Sequence, residues 1–223
     1  MPELIIVGTP IGNLEDISYR ALRILKEVDN IICEDKRVTL KIINHFDLGN
    51  KNLFTYNQAS AERKLESAFN FILNNEKTII VTDAGMPIVS DPGNLLVKRC
   101  YENNVKVDII PGPSAPISAL AASGLPGSKF VFLGFLPRDK NRRRLFRTLV
   151  EEEKILIFFE SPNRILKTLI DINEILGNRE IFIAREMTKI HQEFLKGNTC
   201  DIIEKLKKVD NIRGEFTVVI SGK

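Results

Sequence analysis

What this chain has little of narrows its chemistry first. It carries three cysteines and two histidines in 223 residues. Cys33, Cys100 and Cys200 are odd in number and far apart, with no CxxC pair or Cys/His cluster. Neither a disulfide framework nor a zinc site is suggested, and no metal is expected. His45 and His191 read as surface or structural residues. No apolar run approaches the roughly 18 residues needed to cross a bilayer. The opening MPELIIVGTP has no basic segment before its short apolar run and reads as a first strand, not a secretory leader. A cytoplasmic location without membrane contact is therefore expected. The common nucleotide fingerprints GxGxxG and GxxxxGK[ST] are missing too, as are repeats and low-complexity segments.

What is there is ordinary in bulk and uneven in detail. An apolar content of 43% and a charged content of 27% belong to a globular protein of one large or two small domains. Net charge is only +3, but residues 112–223 hold 19 Lys and Arg against 14 Asp and Glu, leaving 13 against 15 for the rest. A mildly basic second half hints at an anionic partner.

Apolar runs alternate with helical patterns almost throughout. Residues 4–7, 31–33, 78–82 and 105–110 predict strands. Ile17, Ala21, Ile24 and Val28 recur at helical spacing, and a second helix is expected over 61–73, with Ser60 as N-cap and Leu65, Phe69 and Ile72 inward. A third is expected near 94–102. Such alternation argues for a mainly parallel sheet covered on both faces. Two prolines around Gly112 interrupt it, placing the boundary between domains 1–111 and 112–223 there. A small-residue helix over about 114–123 closes on Gly124. The second half restarts with strands at 130–135, 155–159, 180–184, 192–195 and 216–221, and helices at 142–152, 163–176 and 201–208. Strands 180–184 and 192–195 lie too close for a crossover helix, so an antiparallel pair and a mixed sheet are expected. The fold class is α/β, two αβα domains with a ligand cleft between them.

Ligands of open α/β sheets collect on the loops after the strands, and four such loops are rich in chemistry. GTPIGNL (8–14) has two glycines and a proline. CEDKR (33–37) sets four charges directly after a strand, where a helix start would also favour acids. TDAGMPIVSDPG (82–93) combines two aspartates with glycines that permit close backbone approach and prolines that stiffen it. Asp91, before Pro92, fits a turn cap. Asp83, at the mouth of the loop, fits a ligand contact better. AREMTKIHQE (184–193) follows another strand with acid, base and thioether. Separately, RDKNRRRLFR (138–147) carries six Lys and Arg in ten positions, either a solvated face or a phosphate-binding cluster.

Taken in order, GTPIGNL, EDKR, TDAGMPIVSDPG, PGPSA with ALAASGLP, FLGFLP, FESPNRI and AREMTKIHQE closely resemble the ribosomal RNA small-subunit methyltransferase I family, a branch of the tetrapyrrole methylases. The resemblance spans essentially the whole chain. It implies a class III methyltransferase fold, usually a homodimer, that uses S-adenosylmethionine to methylate a cytidine 2′-hydroxyl in the decoding region of 16S rRNA, on naked RNA or the small ribosomal subunit. By motif, the cofactor should meet Pro10, Asp83, Gly85, Met86, Ser114, Ala115, Phe159, Ala184, Arg185, Glu186 and Met187. RNA should meet Arg138, Lys140, Arg142, Arg143, Arg144 and Arg147.

Lys36 departs from the threonine that relatives often carry, and many relatives extend beyond the final GEFTVVISGK. The sulfonium is already a strong methyl donor, so catalysis is mostly alignment. A poor hydroxyl nucleophile still benefits from a base or a cation. Glu34, Asp35, Arg37 and Glu186 are the candidates, with Glu160 behind them, and the sequence does not choose. A precorrin-type tetrapyrrole C-methyltransferase and a non-catalytic RNA-binding protein on the same fold are the alternatives.

Overall fold

Strand alternation explains the first half of the molecule. In the computed structural model, which describes residues 1–223, the chain divides into two units, Met1–Ser114 and Ala115–Lys223. Unit 1 contains β1 (Glu3–Val7), α1 (Tyr19–Glu27), β2 (Asn30–Cys33), α2 (Lys36–His45), β3 (Asn52–Thr55), α3 (Ala61–Leu73), β4 (Lys77–Ile80), α4 (Asn94–Glu102) and β5 (Lys106–Ile110). The strands form one sheet in the order β3-β2-β4-β1-β5, with every neighbouring pair parallel. Successive strand side chains point to opposite faces. Accordingly Ile5 and Val7 join Ala21, Leu25, Ile42 and Ile43 of α1 and α2 in one core. Leu4 and Ile6 join Ala68, Phe69, Ile72 and Leu96 of α3 and α4 in the other. Strands buried on both faces have to read as unbroken apolar runs, as these do.

Several local expectations give way to packing. Helix α2 and edge strand β3 are additional to those predicted. In α1 it is Leu25, not Ile24, that is fully buried beside Ala21. Ser60 does not cap α3 with its side chain. A 3-10 turn over Gln58–Ser60 precedes the helix, and the Ser60 hydroxyl donates to Oδ1 of Asn57 at 2.8 Å.

Unit 2 contains α5 (Ala115–Ser123), β6 (Phe130–Phe135), α6 (Asp139–Thr148), β7 (Ile155–Glu160), α7 (Ile165–Ile175), β8 (Glu180–Arg185), β9 (Glu193–Asn198), α8 (Thr199–Lys207) and β10 (Phe216–Ile220). Its sheet runs β6-β7-β10-β8-β9. Only β6 and β7 pair in parallel; β8 and β9 are antiparallel, with Glu180 opposite Asn198. Phe146, Ile165, Leu169, Ile172, Ile202 and Leu206 cover one face of the sheet with α6, α7 and α8. Helix α6 is displaced from the expected 142–152. It begins at Asp139 and stops before Glu151, Glu152 and Glu153, three acids that a helix C-terminus disfavours. No helix is long and apolar enough to cross a membrane.

Candidate functional site

The carboxyl edge of the unit 1 sheet carries the richest chemistry. The connection from β1 leads to the α1 face and that from β4 to the opposite face. The two strands lie side by side, so their loops diverge at a topological switch point, where open α/β sheets leave room for a ligand. Three loops meet there. Thr9 and Gly85 form an isolated antiparallel bridge, Thr9 N to Gly85 O at 2.9 Å and Gly85 N to Thr9 O at 3.1 Å. The Thr9 hydroxyl donates to Thr82 O at 3.2 Å. The Gly112 N–H points at Sδ of Met86, 3.3 Å away. A Cβ on Gly8 would stand 2.7 Å from the Gly112 backbone, so the two loops touch through bare backbone. The fourth loop joins through the Asp35 N–H, which donates to Oδ1 of Asp83 at 3.1 Å. Pro10, Gly85 and Met86 are therefore brought together with Asp83, Glu34 and Asp35.

The charges at this edge are arranged unequally. Asp35 N-caps α2 through the Arg37 N–H at 2.8 Å and also binds the Arg37 guanidinium, which holds its carboxyl down at about 2. Burial, and then the Asp83 carboxylate, push Glu34 above the usual carboxylate range. Asp83 is raised chiefly by burial. Asp91, read from sequence as a turn cap, is raised to about 6 by burial and by the Glu34 carboxylate. Three half-buried acids thus share one edge, and none of them is ion-paired; the nearby Arg37 is bound to Asp35 instead. The loop that carries two of them is strained: Ile88 and Ser90 adopt φ of 76° and 70° between Gly85 at 83° and Gly93 at 134°. For a β-branched residue that conformation is an outlier of the kind held at ligand sites. The buried Thr82 hydroxyl lies beside the Asp91 carboxyl and offsets part of the effect of burial there. Half-buried carboxylates and side-chain-free glycines suit a ligand bearing hydroxyls and an ammonium.

In unit 2 the candidates sort differently. Ala184 and Met187 are buried and offer only backbone. Glu186, at φ 48°, turns its carboxylate back onto the Glu215 N–H at 2.8 Å and Lys189 at 3.0 Å. The Glu215 N–H lowers its pKa first, and Lys189 adds to the effect, so it is a committed acceptor. Arg185 donates to Arg213 O and pairs with Glu193. Glu160, only 2% exposed, accepts from Thr168 at 2.7 Å and from the Ser161 N–H at 2.8 Å, which fills a structural role and removes it from the bases. Phe159 lies 5.2 Å from both Phe132 and Phe135, ring centre to ring centre.

The basic segment needs a correction. Arg142 is 1% exposed, and its Nε donates to Oδ2 of Asp171 at 2.8 Å. Arg143 binds the same aspartate and Glu174. These two arginines pin α6 to α7. Arg138, Lys140, Arg144 and Arg147 remain exposed and available for phosphates. Nothing local marks the inward arginine, since Arg142 and Arg144 stand in the same basic run and Asp171 lies off the Ile165, Leu169 and Ile172 stripe of α7.

The model of the family described as Tetrapyrrole (Corrin/Porphyrin) Methylases matches residues 3–202. Diphthine synthase superposes with a TM-score of 0.77 at 14% identity, over 99% of this chain and 90% of that one. A Thermus thermophilus uroporphyrin-III C-methyltransferase complexed with S-adenosylhomocysteine gives 0.67 at 15% identity, over 98% and 97%. At that identity the likeness is one of fold, and the class is that of the tetrapyrrole methylases. A Thermotoga maritima protein named ribosomal RNA small subunit methyltransferase I is 52% identical over 100% of both chains. The chain belongs to the ribosomal RNA small subunit methyltransferase I family and is an S-adenosylmethionine-dependent methyltransferase.

Proposed function

We propose that this chain methylates the 2′-hydroxyl of a cytidine ribose in the decoding region of 16S rRNA, acting in the cytoplasm as a homodimer on the small ribosomal subunit or its RNA. One observation carries the reading: four loops from four parallel strands are tied to each other around the half-buried carboxylates of Asp83 and Glu34. The name of the 52% identical relative supports RNA as substrate, and the exposed cations of α6 supply an electrostatic footing for it. The choice of a cytidine 2′-hydroxyl follows the family resemblance of the motifs.

When bound, S-adenosylmethionine supplies an activated methyl group, and the protein has chiefly to align donor and acceptor. Asp83, held by the Asp35 N–H, accepts from ribose hydroxyls or the methionine ammonium. Pro10, Gly85 and Met86 form the wall beside it. Ser114 and Ala115, at the start of α5, offer free N–H groups to a carboxylate. Phe159 and the backbone of Ala184, Arg185, Glu186 and Met187 are the further cofactor contacts. Glu34 takes the proton from the 2′-hydroxyl. It alone of the four catalytic candidates has a raised proton affinity and no cation paired to its carboxylate. Asp35 and Arg37 neutralise each other, and Glu186 is committed to Lys189 and Glu215.

Small subunits purified from cells lacking the protein, incubated with it and tritiated cofactor, should gain label in a cytidine ribose that resists alkaline hydrolysis. Label in a base, or transfer to a tetrapyrrole alone, would overturn the reading.

A further inference from the structure

At the carboxyl ends of the parallel pair β6 and β7, unit 2 carries a half-open cavity of about 350 Å³ whose walls come from the start of α6 and the start of α7. Both walls are fixed from behind. Glu160 binds Nε of Arg164 at 3.2 Å, and Nη2 of Arg164 donates to Leu136 O at 2.7 Å and Pro137 O at 2.9 Å, clamping the loop that leads into α6. The Arg142–Asp171 pair locks the next turn.

Apart from the Asp139 carboxylate, the groups facing the cavity are donors. Arg142 spends Nε and Nη2 on Asp171, which leaves Nη1 unpaired in a side chain that is 1% exposed. Arg138 pairs with no carboxylate, while Lys167 meets only Asp139, an exposed acid on the rim. Ser161 and Asn163 add a hydroxyl and an amide from the loop before α7.

We propose that this cavity seats one backbone phosphate of the RNA substrate, with Arg138 and Lys167 as its ionic contacts and Ser161 and Asn163 as neutral donors. Planar guanidinium and mobile ammonium groups converging with hydroxyl and amide donors are what a phosphodiester oxygen set requires. The buried clamps fix the backbone that carries the donors before RNA arrives, which lowers the ordering cost of binding. Asp139 tempers the seat, because it competes with the phosphate for Lys167. The inference rests on RNA being the substrate.

Steady-state methyl transfer to small subunits over a range of salt concentrations tests it. Arg138→Ala and Lys167→Ala should each raise the RNA KM roughly three- to tenfold and lower the slope of log KM against log salt by about 0.7 to 1, with cofactor affinity at the wild-type level. Asp139→Asn should act in the opposite sense and lower the RNA KM, which a merely structural role would not produce. Unchanged RNA KM and salt slope in all three variants, with an active wild type, would overturn the phosphate seat alone. A wild type that labels no ribosomal RNA would instead overturn the substrate reading.

Discussion

The backbone N–H of Asp35 donates to Oδ1 of Asp83 at 3.1 Å, across 48 positions of sequence. This bond joins the loop after β2 to the loop after β4. It also ties the residue proposed to hold the cofactor to the neighbour of the residue proposed to take the proton.

Asp83→Asn keeps an acceptor for the Asp35 N–H but removes the charge. Cofactor affinity should fall by about 1.5 to 3 kcal/mol, the worth of a hydrogen bond to a charged group, while the melting temperature barely moves. Calorimetric titration with S-adenosylmethionine checks this, and an unchanged Kd would take Asp83 out of the pocket.

Glu34→Gln should lower kcat about 100-fold or more, with cofactor binding retained. Wild-type kcat/KM should rise with pH through a pKa above the ordinary glutamate value, and the variant should lose that acidic limb. A pH profile preserved in the variant assigns the base elsewhere.

Asp91 ties stability to pH. Its carboxyl titrates near 6 in the folded protein against an ordinary 3.8, so the native state holds that proton more tightly than the unfolded chain. The stability this contributes is present below about pH 4 and is lost as pH rises to about 6. Asp91→Asn should therefore stabilise the protein at pH 8 by about 1 kcal/mol, after allowance for solvent screening, and by much less at pH 4. Thermal melts at the two pH values read the difference.

Arg142→Ala leaves Asp171 buried with Arg143 as its remaining cation. A loss of about 3 kcal/mol is expected in urea unfolding, and replacing both partners by apolar residues of similar size should restore most of it. If Arg142→Ala is as stable as wild type and only RNA binding suffers, the arginine is a phosphate contact after all.

Gly112→Ala would set a Cβ 2.8 Å from the Gly8 backbone, where neither loop can yield cheaply. It should cost about 1 to 3 kcal/mol and weaken cofactor binding in the same titration. Wild-type behaviour in both would show that the loops separate freely.

Much of the candidate site was legible because its signals are local. Glycine and proline mark loops wherever the chain must turn, and an aspartate directly after an apolar run stands at a strand's end. That placed Asp83, Gly85 and Met86 in one loop and Glu34 and Asp35 in another. The loops' mutual contacts were not legible, since Thr9–Gly85 and Gly8–Gly112 depend on which strands lie side by side. Helix α2 repeats Val38, Ile42 and Thr39, Ile43 at helical spacing behind the Asp35 cap, but the four charges of EDKR read equally well as a loop. Asp91 fits a turn cap on local grounds, because the burial and the Glu34 carboxylate that raise it come from the packing of other segments.

By itself, the sequence determined the alternation of strands and helices, the α/β class and the family. Periodicity and turn chemistry act within a few residues, and ordered motifs survive as text. Tertiary structure alone decided which charges remain free. Arg142 and Arg144 are indistinguishable in RDKNRRRLFR, yet one lies against Asp171 and the other faces solvent. Glu34 and Asp35 are neighbours, yet desolvation raises one and an arginine lowers the other. Burial and charge pairing are long-range quantities, set when distant segments pack, and no stretch of sequence carries them alone.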